Sequence, residues 1–325
     1  MLLLGTEADD LVVQRALQDG SLHKALLDQL EEGIYIVDRS RRILYWNAGA
    51  ERISGYASHE IAKRFCHGDL LMHCDAEGKT MCGDGCPLTG VMQDGGTRAC
   101  TIFLRHRDGH RVPVHVRSRA IYDPSREIIG AVEVFEQACA QDRNGLRALQ
   151  PFGCIDELTG AANRRYGEMR LRQAFEALKE FEIPFGWLRI GIDKTEEYDS
   201  RYGQGMVEAA LQITAATLNR NLGPLDVLTR WSRDEFRIEA NHCSRVELAE
   251  TAEKLVRLTR MSALDWSGDR LRMTVSVAAV MAERGDTPEL LEARVGEVFE
   301  SCRAGGGNRA AIAHSRYGRS LSCLP

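Results

Sequence analysis

No stretch of this 325-residue chain approaches the roughly 18 consecutive apolar residues that a membrane span requires. The opening Met1-Leu2-Leu3-Leu4 is broken at once by Gly5 and by acids at positions 7, 9 and 10. It also lacks a basic start, so no signal peptide is expected and a cytoplasmic location is. Positive charge is not in excess: 42 Lys and Arg face 47 Asp and Glu, a net charge of -5. That balance argues against nucleic acid as the main partner. A small secreted disulfide framework is missing too, because most of the ten cysteines are scattered, at 100, 139, 154, 243, 302 and 323. Internal repeats and low-complexity tracts are absent.

What is there is the composition of a soluble globular protein, 44% apolar and 27% charged, long enough for two domains with separate cores. Residues 8–32 have helical spacing, with Leu11, Val12, Ala16, Leu22, Ala25, Leu26 and Leu30 near one face. Gly33–Asp38 and Arg42–Asn47 read as a strand hairpin around Arg39-Ser40-Arg41. Ala48–Arg64 reads as short helix and connection. Three strands follow at Arg98–Arg105, Arg111–Tyr122 and Ile128–Phe135, separated by Asp108-Gly109 and Asp123-Pro124. This order resembles a PAS sensor domain over residues 22–137. The residues that carry the resemblance are Glu32-Gly33-Ile34-Tyr35-Ile36-Val37-Asp38, then Tyr45-Trp46-Asn47-Ala48-Gly49-Ala50-Glu51-Arg52-Ile53-Ser54-Gly55-Tyr56, then Arg107-Asp108-Gly109-His110-Arg111-Val112-Pro113-Val114.

Residues 138–155 form a linker interrupted by Gly145, Pro151 and Gly153. A continuous signalling helix through Pro151 would lose a hydrogen bond and meet a clash, so a short or kinked connector is expected. From Asp156 the chain changes character. Asp156-Glu157-Leu158-Thr159-Gly160, Asn163-Arg164-Arg165 and Arg230-Trp231-Ser232-Arg233-Asp234-Glu235-Phe236 resemble the GGDEF domain of bacterial diguanylate cyclases. The whole chain is then α+β. It comprises an N-terminal helix (1–21), a PAS domain with a five-stranded antiparallel sheet and short helices (22–137), the linker (138–155), a degenerate GGDEF domain of nucleotidyl-cyclase-like α/β sandwich form (156–315) and a tail (316–325).

The GGDEF resemblance implies a GTP site with two Mg²⁺-binding carboxylates, one at the end of the first strand and one at the third signature position. Asp234 fills the second place, and Glu235 would sit beside the reacting centre. The first place holds Gly191, with Asp193 two residues on and on the same strand face. Losing one hard oxygen ligand should weaken Mg²⁺ severely. The guanine-reading places hold Asp199 and Glu208. In the last helix, the phosphate lysine place falls on Arg303 without a gap, or on Cys302 with a one-residue insertion, and Gly306-Gly307-Asn308 replaces Gly-Arg-Asn. The feedback-inhibition arginine is missing from Gly223-Pro224-Leu225-Asp226. Ser232 and Arg233 replace the signature glycines of a two-residue turn, where Arg233 at positive φ would cost about 1 kcal/mol or more. Its side chain is expected to be solvated or to block the pocket rather than grip a phosphate.

A second cluster needs its own account. Cys66, His73, Cys74, Cys82 and Cys86 lie close together in a Cys/His-rich insertion, residues 66–87. Thiolate and imidazole suit zinc or an iron–sulfur cluster, with Cys66, His73, Cys82 and Cys86 as the ligand set. A thiol redox switch and plain reduced thiols stand beside that reading. The sequence therefore describes a bacterial signalling protein, a homodimer with a PAS sensor of unidentified ligand, a non-catalytic output domain and an unidentified protein partner. Two alternatives stay open: an active cyclase making cyclic di-GMP from two GTP with Mg²⁺, and a metal or redox sensor through the cysteines.

Overall fold

Alternation of large apolar residues in Gly33–Asp38 and the β-branched runs of the later strands build an N-terminal unit with one sheet. A computed structural model describes residues 21–67, 70–83, 85–138, 150–313 and 322–323. The expected helix over 1–21, apart from its last residue, and the linker over 139–149 lie outside these residues, as does the tail apart from 322–323. Helix α1 (Ser21–Gln29) precedes strands β1 (Gly33–Asp38) and β2 (Ile43–Trp46). Helices α2 (Ala48–Ser54), α3 (Ser58–Ile61) and α4 (Pro87–Asp94) come next, then β3 (Thr97–Arg105), β4 (Arg111–Tyr122) and β5 (Ile128–Gln137). The strand order is β2-β1-β5-β4-β3, with β1 antiparallel to both β2 and β5, and β5 antiparallel to β4.

Asn47 explains why α2 starts where it does. Its side-chain oxygen accepts from Ala50 N at 2.8 Å, the N-cap bond, and from Ile34 N at 2.7 Å. Its amide nitrogen donates to Leu27 O and Glu32 O, so one buried residue ties α1, β1 and α2 together. Pro87 opens α4 at the first-turn position, where its missing N–H costs nothing.

The C-terminal unit has its own core. After a short 3₁₀ turn at Gln150–Phe152 come β6 (Ala162–Asn163), α5 (Arg164–Phe181), β7 (Phe185–Ile192), α6 (Thr195–Tyr202) and α7 (Gln204–Arg220). Strands β8 (Val227–Arg230) and β9 (Glu235–Asn241), α8 (Arg245–Met261), β10 (Ala263–Trp266), β11 (Asp269–Arg272) and β12 (Val275–Met281) follow. Helix α9 (Pro288–Ala304), β13 (Ala310–Ile312) and β14 (Ser322–Cys323) complete it. The seven-stranded sheet runs β14-β13-β12-β7-β9-β8-β6, mixed in direction. Leu188, Ile190 and Ile192 pack on one face with Leu211 and Leu255, while Phe185 and Trp187 pack on the other with Leu171 and Phe299. That alternation puts Arg189 and Gly191 on the α9 side.

Strand β12 starts only at Val275, because residues 263–272 form a separate hairpin turning at Ser267 and Gly268, both with positive φ. A short helix, α6, stands ahead of α7, and Gly203 at φ 81° ends it.

Candidate functional site

The signature hairpin is not a two-residue turn. Four residues, 231–234, separate β8 from β9, and neither Ser232 nor Arg233 has positive φ. The expected backbone strain at Arg233 is therefore absent. Longer loops close without the mirror-image turn that demands glycine, and here Trp231 N and Ser232 N both donate to Glu235 O. The Arg230 guanidinium donates to the carbonyls of Ser232 and Arg233, holding the loop from inside. Trp231 anchors it to the sheet, edge-on to Trp187 at 5.7 Å, with Arg164 and Arg237 over its ring at 5.3 and 5.2 Å.

At Gly191, a Cβ would come 2.6 Å from the Phe299 ring and 3.2 Å from Arg303 Nη2. The space in which the resemblance expects a metal-binding carboxylate is thus filled by two side chains of α9. Asp193 meets a different geometry from the one expected of a substitute ligand. Its buried carboxylate accepts from Thr274 Oγ1 at 2.8 Å, Ser276 Oγ at 2.7 Å and Asn308 N at 2.8 Å. A Cβ on Gly307, itself at φ 72°, would lie 2.7 Å from that carboxylate. The glycine at the place of the family's phosphate arginine is what lets this loop close over Asp193.

Asp234 accepts from Thr195 Oγ1 at 2.9 Å, a partner that no sequence motif pointed to. Its Oδ2 stands 3.6 Å from Arg303 Nη2, which also donates to Ile192 O at 3.0 Å. Arg303 Cζ lies 5.2 Å from the centre of the Phe299 ring, and Arg189 Cζ lies 4.3 Å from it. Mg²⁺ demands near-octahedral oxygen ligands at about 2.0–2.1 Å. The residues present fit it poorly, because the Asp234 carboxylate faces a guanidinium, Gly191 supplies no donor, and Asp193 is committed to three hydrogen bonds.

Glu235 is tied into an ion-pair network. Arg189 holds it in a two-point pair at 3.1 and 2.7 Å, and Arg237 adds a contact at 3.1 Å. Burial alone would raise its carboxyl, but the hydrogen bonds and charge of the two arginines outweigh it and hold it below the usual carboxylate value. Arg237 continues to Glu292, which also accepts from Trp187 Nε1 at 2.7 Å. Asp199 pairs with Arg233 at 2.5 Å. The hairpin arginine, its side chain 73% exposed, is both solvated and paired with the acid that stands where the resemblance places base reading. Glu208, half-buried, accepts from Gln204 at 2.7 Å along its own helix. Asp226 accepts from Gly223 N and Asn241 N, a purely structural use of the residue that ends the feedback motif.

In the N-terminal unit, Cys66, His73, Cys74 and Cys86 are buried and Cys82 is half-buried. Among the described residues, no three of Cys66, His73, Cys82 and Cys86 bring ligand atoms within 4.8 Å of one another. Cys74 is fixed in backbone pairing with Phe103, while Cys82 is tied through its carbonyl to Arg41 Nη1 at 2.9 Å.

Residues 22–137 match the PAS fold, and residues 154–309 match the family described as diguanylate cyclase, GGDEF domain. A PAS domain is followed by a GGDEF domain. Across 79% of the chain and 23% of its own length, the probable diguanylate cyclase DgcE of Escherichia coli K12 is 24% identical. The response regulator PleD of Caulobacter vibrioides is 27% identical over 51% of the chain and 37% of its own length. The PAS–GGDEF chain thus spans about a quarter to under half of these curated relatives. Among solved structures, diguanylate cyclase SiaD in complex with its activator SiaC, from Pseudomonas aeruginosa, has a TM-score of 0.50 at 21% identity, covering 53% of this chain and 66% of that one. That likeness supports the GGDEF fold. No helix among the described residues is long and apolar enough to cross a membrane.

Proposed function

We propose that this PAS–GGDEF chain is a signalling regulator whose GGDEF domain makes no cyclic di-GMP and acts through contacts with itself or with another protein. One contact set supports the reading. Arg303 Nη2 donates to Ile192 O at 3.0 Å and faces Asp234 at 3.6 Å, with Phe299 packed over Gly191. A guanidinium supplies, from inside the chain, the positive charge that the Asp234 carboxylate would otherwise take from a divalent cation. Because that charge is covalently tethered and its counter-acid at 191 is missing, the domain keeps its shape without metal. Arg233 over Asp199 adds a second block, at the place that would read the base.

Sensing belongs to the PAS domain in this reading, and output to the GGDEF domain of a homodimer. SiaD, whose fold this domain shares, was solved with its activator SiaC, a precedent for a protein contact on a GGDEF domain. Incubation of the purified chain with GTP and Mg²⁺ or Mn²⁺, followed by chromatography for cyclic di-GMP, tests it. No product above a protein-free control is expected. Product that vanishes in Asp234→Ala overturns the reading and makes the chain a cyclase.

A further inference from the structure

The connection between β3 and β4 of the PAS sheet is His106-Arg107-Asp108-Gly109-His110, and its first, third and fifth residues are all of metal-ligating types. Among the described residues, these three form a group in which one ligand atom from each, an imidazole nitrogen or a carboxylate oxygen, lies within 4.8 Å of the other two. Gly109, at φ 96°, supplies the left-handed backbone that turns the chain between Asp108 and His110. The turn is pinned on either side of His106. Arg105 N donates to Leu71 O at 2.7 Å, and Arg107 N donates to Ser54 O at 2.9 Å. The His106 ring rests against Gly55, the residue that ends α2, where a Cβ would come within 2.4 Å of its Cε1. Two neighbouring cations are drawn elsewhere: Arg107 pairs with Glu60 at 3.0 Å, and Arg105 donates to Met72 Sδ at 3.6 Å.

We propose that His106, Asp108 and His110 bind a divalent transition-metal ion, zinc by the chemistry of the set. Two imidazoles and one carboxylate suit Zn²⁺ far better than Mg²⁺ or Ca²⁺, which take oxygen ligands. Three protein ligands, with the fourth position left to water or a further group, make an open zinc site. Bonds of about 2.0–2.2 Å set tetrahedral ligand atoms about 3.4 Å apart. Each pair of ligand atoms therefore has to close by about 1.4 Å at most, a shift that turning of the side chains supplies. Asp108 is exposed and His110 is buried, so the ion enters from the Asp108 side.

A bound ion ties the end of β3 to the start of β4, at a turn already held to α2 through Ser54. Strand β4 pairs in turn with β5, the last strand of the domain, so occupancy of the turn bears on the whole sheet. The site uses no thiolate, which separates it in chemistry from the cysteines of residues 66–86. This deepens the sensor half of the proposed function by naming a divalent metal ion as its input. Its test reads metal rather than cyclic di-GMP, so the two can fail separately.

The full chain is stripped with EDTA, dialysed with a non-thiol reductant and titrated with Zn²⁺ against a chromophoric chelator, then with Co²⁺ as a spectroscopic stand-in. The chain should draw one Zn²⁺ from the chelator. Its Co²⁺ complex should show visible d–d bands without the near-ultraviolet sulfur-to-cobalt charge-transfer band of a thiolate site. Asp108→Asn, nearly isosteric and at an exposed position, should weaken Zn²⁺ binding at least about tenfold, and His110→Ala by as much or more. Cys82→Ser should bind as the wild type does. Should His110→Ala fail to fold, Asp108→Asn and the Co²⁺ spectrum decide the matter. A chain that takes no Zn²⁺ from the chelator, a sulfur charge-transfer band, an affinity unmoved by Asp108→Asn, or one lost in Cys82→Ser would each overturn the proposal.

Discussion

The Arg303 guanidinium stands 3.6 Å from the Asp234 carboxylate while it donates to Ile192 O. Removing it should leave Asp234 without a cation. Arg303→Ala is therefore expected to gain a Mn²⁺-dependent stabilisation that the wild type lacks, about 1 kcal/mol, read as a rise of about 2–4 °C in melting temperature. Equal responses of the two proteins to Mn²⁺ would refute the idea that Arg303 stands in for the metal.

Restoring the missing acid alone should not restore the site. Gly191→Asp places its side chain against Phe299, and overpacking of this kind costs about 1–3 kcal/mol. Urea denaturation should show the lower midpoint. Added Mg²⁺ should not recover it while Phe299 and Arg303 remain.

Glu235 pairs with both Arg189 and Arg237 beside the signature. Glu235→Gln removes the anion that Arg189 and Arg237 share, while Arg237 keeps Glu292 and Arg189 keeps Glu300 nearby, at a cost of about 1–3 kcal/mol. Acid dependence follows from the lowered carboxyl. Its contribution is fully present above the ordinary value of 4.5 and is lost as pH falls through the lower value of the folded state. The wild type should weaken on acidification below about pH 4.5 by a component that the variant lacks, which stability curves at several pH values would detect.

Glu133, in the PAS core, has the opposite sign. It is 1% exposed and accepts from Tyr35 Oη and Ser118 Oγ, both at 2.8 Å. Burial pushes its carboxyl up, and those two hydrogen bonds pull it down without prevailing. Its favourable contribution is fully present below 4.5 and is lost as pH rises through the raised folded value. Glu133→Gln should therefore be more stable than the wild type at pH 8, with the difference closing in acid. A difference independent of pH would show that Glu133 does not titrate in this way.

Arg233 is the inexpensive change. Its pair with Asp199 is largely exposed, so Arg233→Gly should alter stability by about 1 kcal/mol or less. It frees Asp199 but touches neither Gly191 nor Arg303. No cyclic di-GMP should appear from GTP, and its appearance would locate the block at Arg233 alone.

The elements whose pattern is local were legible in the sequence. Strands β1 and β4 follow from alternation and stand over Gly33–Asp38 and Arg111–Tyr122, where the sequence puts them. What escaped was side-chain direction where several segments meet. Strand periodicity puts Asp193 on the same face as Gly191, but Thr274 just before β12, Ser276 in β12 and Asn308 in the loop after α9 take its carboxylate. Nothing in the signature announces Thr195 as the partner of Asp234 or Arg303 as its counter-charge, since each comes from another element. The strain expected at Arg233 was misjudged for a simpler reason, the loop being longer than the motif's glycines imply.

The ring of Phe299 over Gly191 also orders the steps by which such a site can change. With glycine at 191, the large ring seats there and the neighbouring guanidinium stacks on it, each holding the other in place. No single substitution opens the pocket downhill. An acid placed at 191 meets the ring, and removing the ring alone opens a cavity costing about 3–5 kcal/mol. The pocket works as a latch: either change alone costs stability, and only a paired change makes room for a carboxylate.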